Sequence, residues 1–244
     1  MVKHTVIKEG KLLVCLGGGY FGAKAARLGK ECRARTIMID TNPDCAAREI
    51  VDIVLTEQGI IEAGQVSLIV GDAMEILFSI LEGEVPQWII PAVPGHSLGK
   101  LVKSWLTAKG LKVASDGGLL SEVLAGLPHR LVLSADEKSG ILVTSYMAEG
   151  MKCEAGCSQL GICPVTKRKR PAPMYALLEF SASEAVDCYK IFVSRQFDGV
   201  GGVPGAVVKK TLKYLASLTP PYSLAIGTSC RCHGILSLFK VEGN

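Results

Sequence analysis

The apolar positions of this chain fall into short unbroken runs separated by segments of helical spacing. Leu12-Leu13-Val14-Cys15-Leu16 offers no polar residue to water, the mark of a parallel strand covered on both faces. From Phe21 to Cys32, alanines and a leucine recur at helical intervals while Lys24, Arg27 and Lys30 take another side, which predicts a helix. Thr36-Ile37-Met38-Ile39 predicts a second strand, Asp44 to Ile50 a short helix and Asp52 to Leu55 a strand-like stretch. Strands are expected at Ser67–Val70, Gln87–Ile90 and Lys112–Ser115, with helices at Ala73–Leu81 and Leu98–Lys109. Strands and helices alternating at these lengths predict an α/β fold: a Rossmann-like doubly wound parallel sheet.

Beyond Ser115 the pattern changes. Leu131–Ser134 and Ile141–Thr144 flank a glycine-containing turn and predict a hairpin. Tyr189–Ser194, the helical stretch Ala206–Leu218 and Tyr222–Gly227 form a strand–helix–strand unit, whose strands should be parallel. A glycine-rich loop is expected from Phe197 to Gly205. These features predict two domains divided near Glu149-Gly150: residues 1–149 with the Rossmann-type sheet, and residues 150–244 as a second, smaller, cysteine-rich α/β metal-binding domain.

Between the first strand and its helix stands Gly17-Gly18-Gly19-Tyr20-Phe21-Gly22. Gly17 permits a tight turn, Gly19 lets a diphosphate approach the backbone, and Gly22 lets the helix pack on the strand. The helix start offers free N–H groups and a positive dipole end. Asp40 closes the second strand at the offset where an acid bonds the ribose hydroxyls, and its charge disfavours the 2′-phosphate of NADP. The cofactor expected on Gly17, Gly19, Tyr20, Phe21, Gly22 and Asp40 is NAD(H). His96, in the loop Pro91 to Ser97, and Asp116, after the Lys112–Ser115 strand, are candidate catalytic residues if both loops border the crevice.

The glycine turn, with Ile39-Asp40-Thr41-Asn42-Pro43-Asp44-Cys45-Ala46-Ala47 and Val51-Asp52, resembles the N-terminal pre-ATP-grasp domain of purine-biosynthesis carboxylases. Gly71-Asp72-Ala73 resembles the nucleotide-binding domain of potassium-transport regulators. Both resemblances end near residue 115. They imply a nucleotide-binding fold. The ligase activity of the carboxylases does not carry over, because the remaining residues do not resemble their catalytic domain.

The second half carries Cys153-x-x-x-Cys157-x-x-x-x-x-Cys163-Pro164 and Cys230-Arg231-Cys232-His233. Clustered thiolates in a reducing compartment bind an iron–sulfur cluster or zinc. All six Cys and His residues are candidate ligands, and Arg195 is placed with them as a substrate contact. Inert or catalytic thiols are the alternatives. Cys15, Cys32, Cys45 and Cys188 read as small buried hydrophobes.

The remaining numbers narrow the setting. A net charge of +4 over 244 residues argues against a nucleic-acid partner. The densest basic run, Lys167-Arg168-Lys169-Arg170, reads as a solvated loop. There is no membrane-spanning apolar stretch, and Lys3, His4 and Lys8 interrupt any signal peptide. A cytoplasmic protein with a small-molecule substrate or effector is expected, and a homodimer stays open. Three functions fit: an NAD-dependent redox enzyme, a nucleotide or redox sensor, or a sulfur- or metal-handling protein using Cys230 and Cys232.

Overall fold

In the computed structural model, residues 6–56, 59–147, 150, 151, 153, 154, 157 and 161–243 are described. Lys3, His4 and Glu149 lie outside them. The chain forms two compact units, Met1–Ser97 with Val200–Lys210, and Leu98–Gly199 with Thr211–Asn244. The division therefore falls at Ser97/Leu98, not at the expected 149/150, and the second unit is the larger by residue range.

Unit 1 is built on β1 (Leu12–Leu16), α1 (Tyr20–Glu31), β2 (Arg35–Asp40), β3 (Ile53–Leu55), β4 (Val66–Val70), α2 (Ala73–Glu82) and β5 (Trp88–Pro91). The expected helix at Asp44–Ile50 shrinks to a single turn, Arg48–Ile50. All five residues of β1 are buried, as its unbroken apolar run requires. β1 lies parallel between β2 and β5, β2 pairs with β4, and β4 with β3. Strand Val200–Pro204 adds antiparallel to β5. After β4 the chain crosses to the opposite side of β1, so the strand order reverses between β1 and β5. The crevice at the carboxyl ends of those two strands is where a Rossmann-like sheet binds ligands.

Unit 2 continues with α3 (Ser97–Ala108), β6 (Lys112–Ser115), α4 (Leu120–Ala125), β7 (Val132–Asp136), β8 (Ile141–Ser145), α5 (Met174–Ala185), β9 (Cys188–Val193) and β10 (Arg195–Phe197). The Val200–Pro204 strand is β11, and after it come α6 (Gly205–Ala216), β12 (Tyr222–Ser229) and β13 (His233–Glu242). The second sheet runs β7-β8-β13-β12-β9, with β6 also on β13. The expected hairpin is present as β7 and β8, and β9 and β12 are parallel, as their crossover predicts. Helices α4 and α5 cover one face, where Val123, Leu178 and Ala182 meet Leu142, Ile191, Ala225, Leu236 and Leu238. Gly234 in β13 makes that packing close, since a Cβ there would stand 2.4 Å from Leu178 Cδ1.

Two expectations are corrected. Lys112–Ser115 does not extend the parallel sheet; it pairs antiparallel with Phe239–Glu242 of β13. The glycine-rich Phe197–Gly205 segment is no loop, because Val203 and Pro204 pair with Ile89 and Trp88. Gly201 and Gly202 weaken the strand signal in the sequence without preventing backbone pairing. Among the described residues, no helix is long and apolar enough to cross a membrane.

Candidate functional site

The glycine turn of unit 1 is shaped by contacts on three sides. Gly17 takes φ +99°, and its N–H donates to Ile39 O at 2.8 Å. A Cβ on Gly22 would stand 2.0 Å from Gly17 O, so this position needs glycine for α1 to sit on β1. A Cβ on Gly18 would meet Cys45 Sγ at 2.2 Å. The floor of the turn is thus Cys45, which is buried, and Ala47 N–H ties it by donating to Gly18 O at 2.8 Å. Around Gly19 nothing stands within 4 Å of a built Cβ, so that side is open.

Asp40 faces this turn. Its Oδ2 accepts from Gly18 N–H at 2.6 Å and its Oδ1 from Asn42 N–H at 2.8 Å. A carboxylate accepts about four hydrogen bonds, so capacity remains for two hydroxyls of a ribose. Gly19 caps α1 with no side-chain hydrogen bond and no acid in the first turn. Tyr20 and Phe21 come next, 75% and 55% exposed, with their rings edge to face at 5.3 Å. The loop after β5 closes the other wall: Ala92 N–H donates to Leu16 O, and Val93 and Ala92 pack on Gly17.

The catalytic candidates are divided between the two units. His96 belongs to unit 1 but is only 3% exposed, and burial lowers its pKa to about 3. Asp116 belongs to unit 2, because β6 lies in the second sheet, and its Oδ1 accepts from Gly118 N–H at 3.0 Å to cap a short turn. Arg195, also in unit 2, opens β10 and is exposed. The loop expected beside it is β11, so the proposed loop wall of a ligand site is not formed there.

The thiols of unit 2 gather on the turn between β12 and β13. Cys230 N–H donates to His233 O at 2.9 Å, and Cys232 N–H donates to Cys230 Sγ at 3.3 Å. His233 Nδ1 lies 3.7 Å from Cys230 Sγ. Residues 161–170 make a second, self-closed loop, with Cys163 N–H bonded to Arg168 O and Arg170 N–H to Gly161 O. Within it, Thr166 N–H donates to Cys163 Sγ at 3.4 Å, and Cys163 Sγ lies 3.7 Å from Met147 Sδ. Arg170, 8% exposed, joins the two: its guanidinium donates to Ile162 O at 3.2 Å and to Cys232 Sγ.

The thiols affect one another's charge. Cys230 is pulled well below the ordinary thiol range, first by a hydrogen bond from the Cys232 thiol, and Cys232 rises correspondingly through the same bond. Cys163 is lowered by its bonds from Thr166 and by the charge of Arg170. Cys153 is raised, first by burial and then by repulsion from Cys157, Cys230 and Cys163. Five cysteines from two chain segments therefore share one neighbourhood. Among the described residues, no three His, Cys, Asp or Glu side chains stand close enough to hold one ion together. Sequence reasoning missed Arg170, whose three basic neighbours Lys167, Arg168 and Lys169 are exposed as expected while it turns inward. It also missed Met147 and the role of Cys45 under the glycine turn. Apart from its place just before Pro171-Ala172-Pro173, nothing in the charge run marks Arg170 out.

Similarity to known proteins respects the two-part plan. Two solved structures show weak likeness at 13% identity. An ADP complex of purK, an N5-carboxyaminoimidazole ribonucleotide synthetase, has a TM-score of 0.28 over 52% of this chain and 37% of that one. An N5-carboxyaminoimidazole synthetase from Staphylococcus aureus with ADP has a TM-score of 0.29 over 58% of this chain and 40% of that one. The chain thus spans about two fifths of the length of those synthetases. An Archaeoglobus fulgidus protein, described as uncharacterized, is 32% identical over 232 residues, 93% of this chain and 98% of that protein. The AF_1314 family models, described as the N-terminal and C-terminal domains of an uncharacterized protein, match residues 12–97 and 100–242 in that order. With both of its domains present in order, this chain belongs to the AF_1314 family.

Proposed function

We propose that the chain is an NAD(H)-binding redox enzyme acting on a small molecule, with a cysteine-ligated metal centre in its second unit. The observation that carries the dinucleotide reading is the bond from Gly18 N–H to Asp40 Oδ2 at 2.6 Å. It fixes the ribose-binding acid against the turn that receives the diphosphate, at the point where the strand order reverses. The open side of Gly19 and the uncapped start of α1 supply the anion's approach. A carboxylate at this position accepts ribose hydroxyls and repels a 2′-phosphate, which selects NAD(H) over NADP(H). Hydride transfer moves two electrons, so a nicotinamide bound at Asp40 and the glycine turn would supply hydride to a substrate directly, and a centre held by the unit 2 thiols would supply structure or Lewis acidity.

The test is calorimetric titration of NAD+ and NADH into the full chain, paired with Asp40→Ala. Binding that weakens tenfold or more in the variant supports the site. Wild-type protein that takes up neither form at millimolar concentration removes it. A second reading, a nucleotide sensor without catalysis, is favoured by the burial of His96, which leaves the crevice's sequence-predicted acid–base residue inside the unit. NADH consumption across a panel of small carbonyl and disulfide acceptors separates the two, because a sensor binds and consumes nothing.

A further inference from the structure

We propose that Cys230 and Cys232 form a dithiol pair that reduces small anionic disulfides by thiol–disulfide exchange, closing to a disulfide across the β12–β13 turn. The inference goes beyond the proposed function: it needs neither the dinucleotide nor a bound metal, and an ion on either sulfur would compete with it.

Backbone geometry sets the spacing of the pair. β12 ends at Ser229 and β13 begins at His233, so the chain reverses within Cys230-Arg231-Cys232. Cys230 N–H donates to His233 O at 2.9 Å, and Ser229 Oγ bonds Cys230 O at 2.9 Å and His233 O at 2.8 Å. With β9 paired along the other side of β12, the turn stands on a fixed base. Two residues of extended chain span at most about 7 Å, and a reversal shortens that into the range of about 4.4–6.8 Å between Cα atoms that a disulfide bridges. Cys232 N–H donates to Cys230 Sγ at 3.3 Å, so the Cys230 sulfur lies over the turn, and the two thiols are hydrogen-bonded to each other. Ring closure between sulfurs already in contact is an intramolecular step with little freedom left to lose.

Each sulfur also has a donor for the charge it gains as thiolate. Cys230 Sγ has the Cys232 N–H, with His233 Nδ1 3.7 Å away, and Cys232 Sγ has the guanidinium of Arg170. Arg170 is buried against Cys232, which leaves Cys230 to meet the incoming sulfur. Cys163 is engaged in its own loop, where Thr166 N–H and Met147 Sδ contact its sulfur. Because Cys230 and Cys232 are both buried, the substrate is a small molecule and not a folded protein. Lys167, Arg168 and Lys169 are exposed on the loop that Arg170 ties to Cys232, and Arg231 is exposed within the turn, so an anion is attracted.

In the exchange, Cys230 loses its thiol proton and attacks one substrate sulfur. The substrate S–S bond breaks, a mixed disulfide forms on Cys230, and the first thiolate leaves and takes up a proton. Cys232 then loses its proton and attacks Cys230 Sγ, and the second thiolate leaves and is protonated. The substrate gains two electrons and two protons, and the cysteine pair gives up the same.

The test incubates the full chain, reduced and held in EDTA so that no ion covers the sulfurs, with dithiodiglycolate. Trypsin cleaves after Arg231, so a Cys230–Cys232 bond joins the peptides Tyr214–Arg231 and Cys232–Lys240 and is read by mass. The wild type is expected to accumulate that joined pair, to lose it on addition of dithiothreitol, and to release two thioglycolates for each pair formed. Cys232→Ser should stop with thioglycolate held on Cys230. Dithiodiglycolate should react severalfold faster than cationic cystamine, each rate divided by that of the same disulfide with 2-mercaptoethanol to remove the leaving-group difference, and salt should narrow the gap. Probe on the exposed Cys153 is mapped on a separate peptide. A wild type that forms no joined pair, or one that bonds Cys230 to Cys153, Cys157 or Cys163 in its place, overturns the pair without any variant having to fold. A folded Cys232→Ser chain, verified by far-UV circular dichroism, that carries no probe on Cys230 overturns the order of attack. Equal normalised rates for the two probes overturn the substrate class. NAD binding in the same samples is scored separately, so the dinucleotide site stands or falls on its own.

Discussion

Two glycines only three residues apart in the same turn differ in what they are for. Gly22 faces Gly17 O across a gap that admits no Cβ, while Gly19 faces open space. Gly22→Ala must therefore push α1 off β1, and overpacking of this kind costs about 1–3 kcal/mol. Gly19 has an extended backbone with φ −69°, which alanine adopts readily. Gly19→Ala is expected to leave the denaturant midpoint nearly unchanged and yet lower NAD affinity severalfold, because the added methyl occupies the diphosphate's approach. Calorimetry and urea unfolding on the two variants test the pair; a Gly19→Ala protein that binds like the wild type would show that nothing approaches that backbone. His96 gives a residue-scale prediction of another kind. Burial lowers its pKa from the ordinary 6.5 to about 3, so the folded chain keeps it neutral where the unfolded chain takes up a proton. Stability that is full above about pH 6.5 is then lost as pH falls toward 3, by up to about 1.4 kcal/mol per pH unit from this group. Urea titrations from pH 7 to pH 4 should give a shallower loss in His96→Gln than in the wild type; equal slopes would mean that the imidazole is protonated in the folded state.

The elements divide by how plainly they advertise themselves. β1, β2, β4 and β5 lie in short apolar runs bounded by glycine, proline or charge, and α1, α2 and α3 have one polar side, so period and length identify them. Asp72 marks the start of α2 in sequence and structure alike, accepting from Met74 N–H and Glu75 N–H. What escaped was shaped by contacts between distant segments. α5, Met174–Ala185, mixes apolar and small residues around its circumference and shows little amphipathic pattern, since α4, β9 and β13 all pack on it. β13 begins at the His233 that reads as the end of a metal motif, and β11 hides behind its glycines. The mistaken place of β6 has the same origin: four residues cannot say which sheet they join, and the partner, Phe239–Glu242, lies more than a hundred residues away. The glycine turn and Asp40 were legible because both belong to one local β-α-β segment; the thiol neighbourhood was legible only as spacing, and Arg170 not at all.

At the scale of the whole molecule, the chain crosses between its units more than once: it leaves unit 1 after Ser97, returns for Val200–Lys210 and leaves again. Each unit has its own candidate site, with the glycine turn and Asp40 in the first and the thiols in the second. A ligand that binds only the folded form stabilises the region that contacts it in proportion to its concentration over Kd. Two ligands for two units should therefore leave two separate footprints in amide hydrogen exchange. NADH is expected to slow exchange at the start of α1 and in the loop after β5, with Gly18 already protected by its bond to Asp40. Zinc or a cluster bound to the candidate thiols should instead slow exchange at Thr166 and Cys232, whose N–H groups donate to Cys163 Sγ and Cys230 Sγ. The strand β11 belongs to the first of these footprints. Its pairing with β5 puts it in unit 1 with the residues up to Lys210, while the chain before Val200 and from Thr211 onward belongs to unit 2. If NADH also changes exchange at Thr166 and Cys232, the two ligands are coupled and each should alter the other's affinity by the same factor. If those amides exchange alike with and without NADH, the two sites act independently, and a thiol-held centre in unit 2 would serve structure alone.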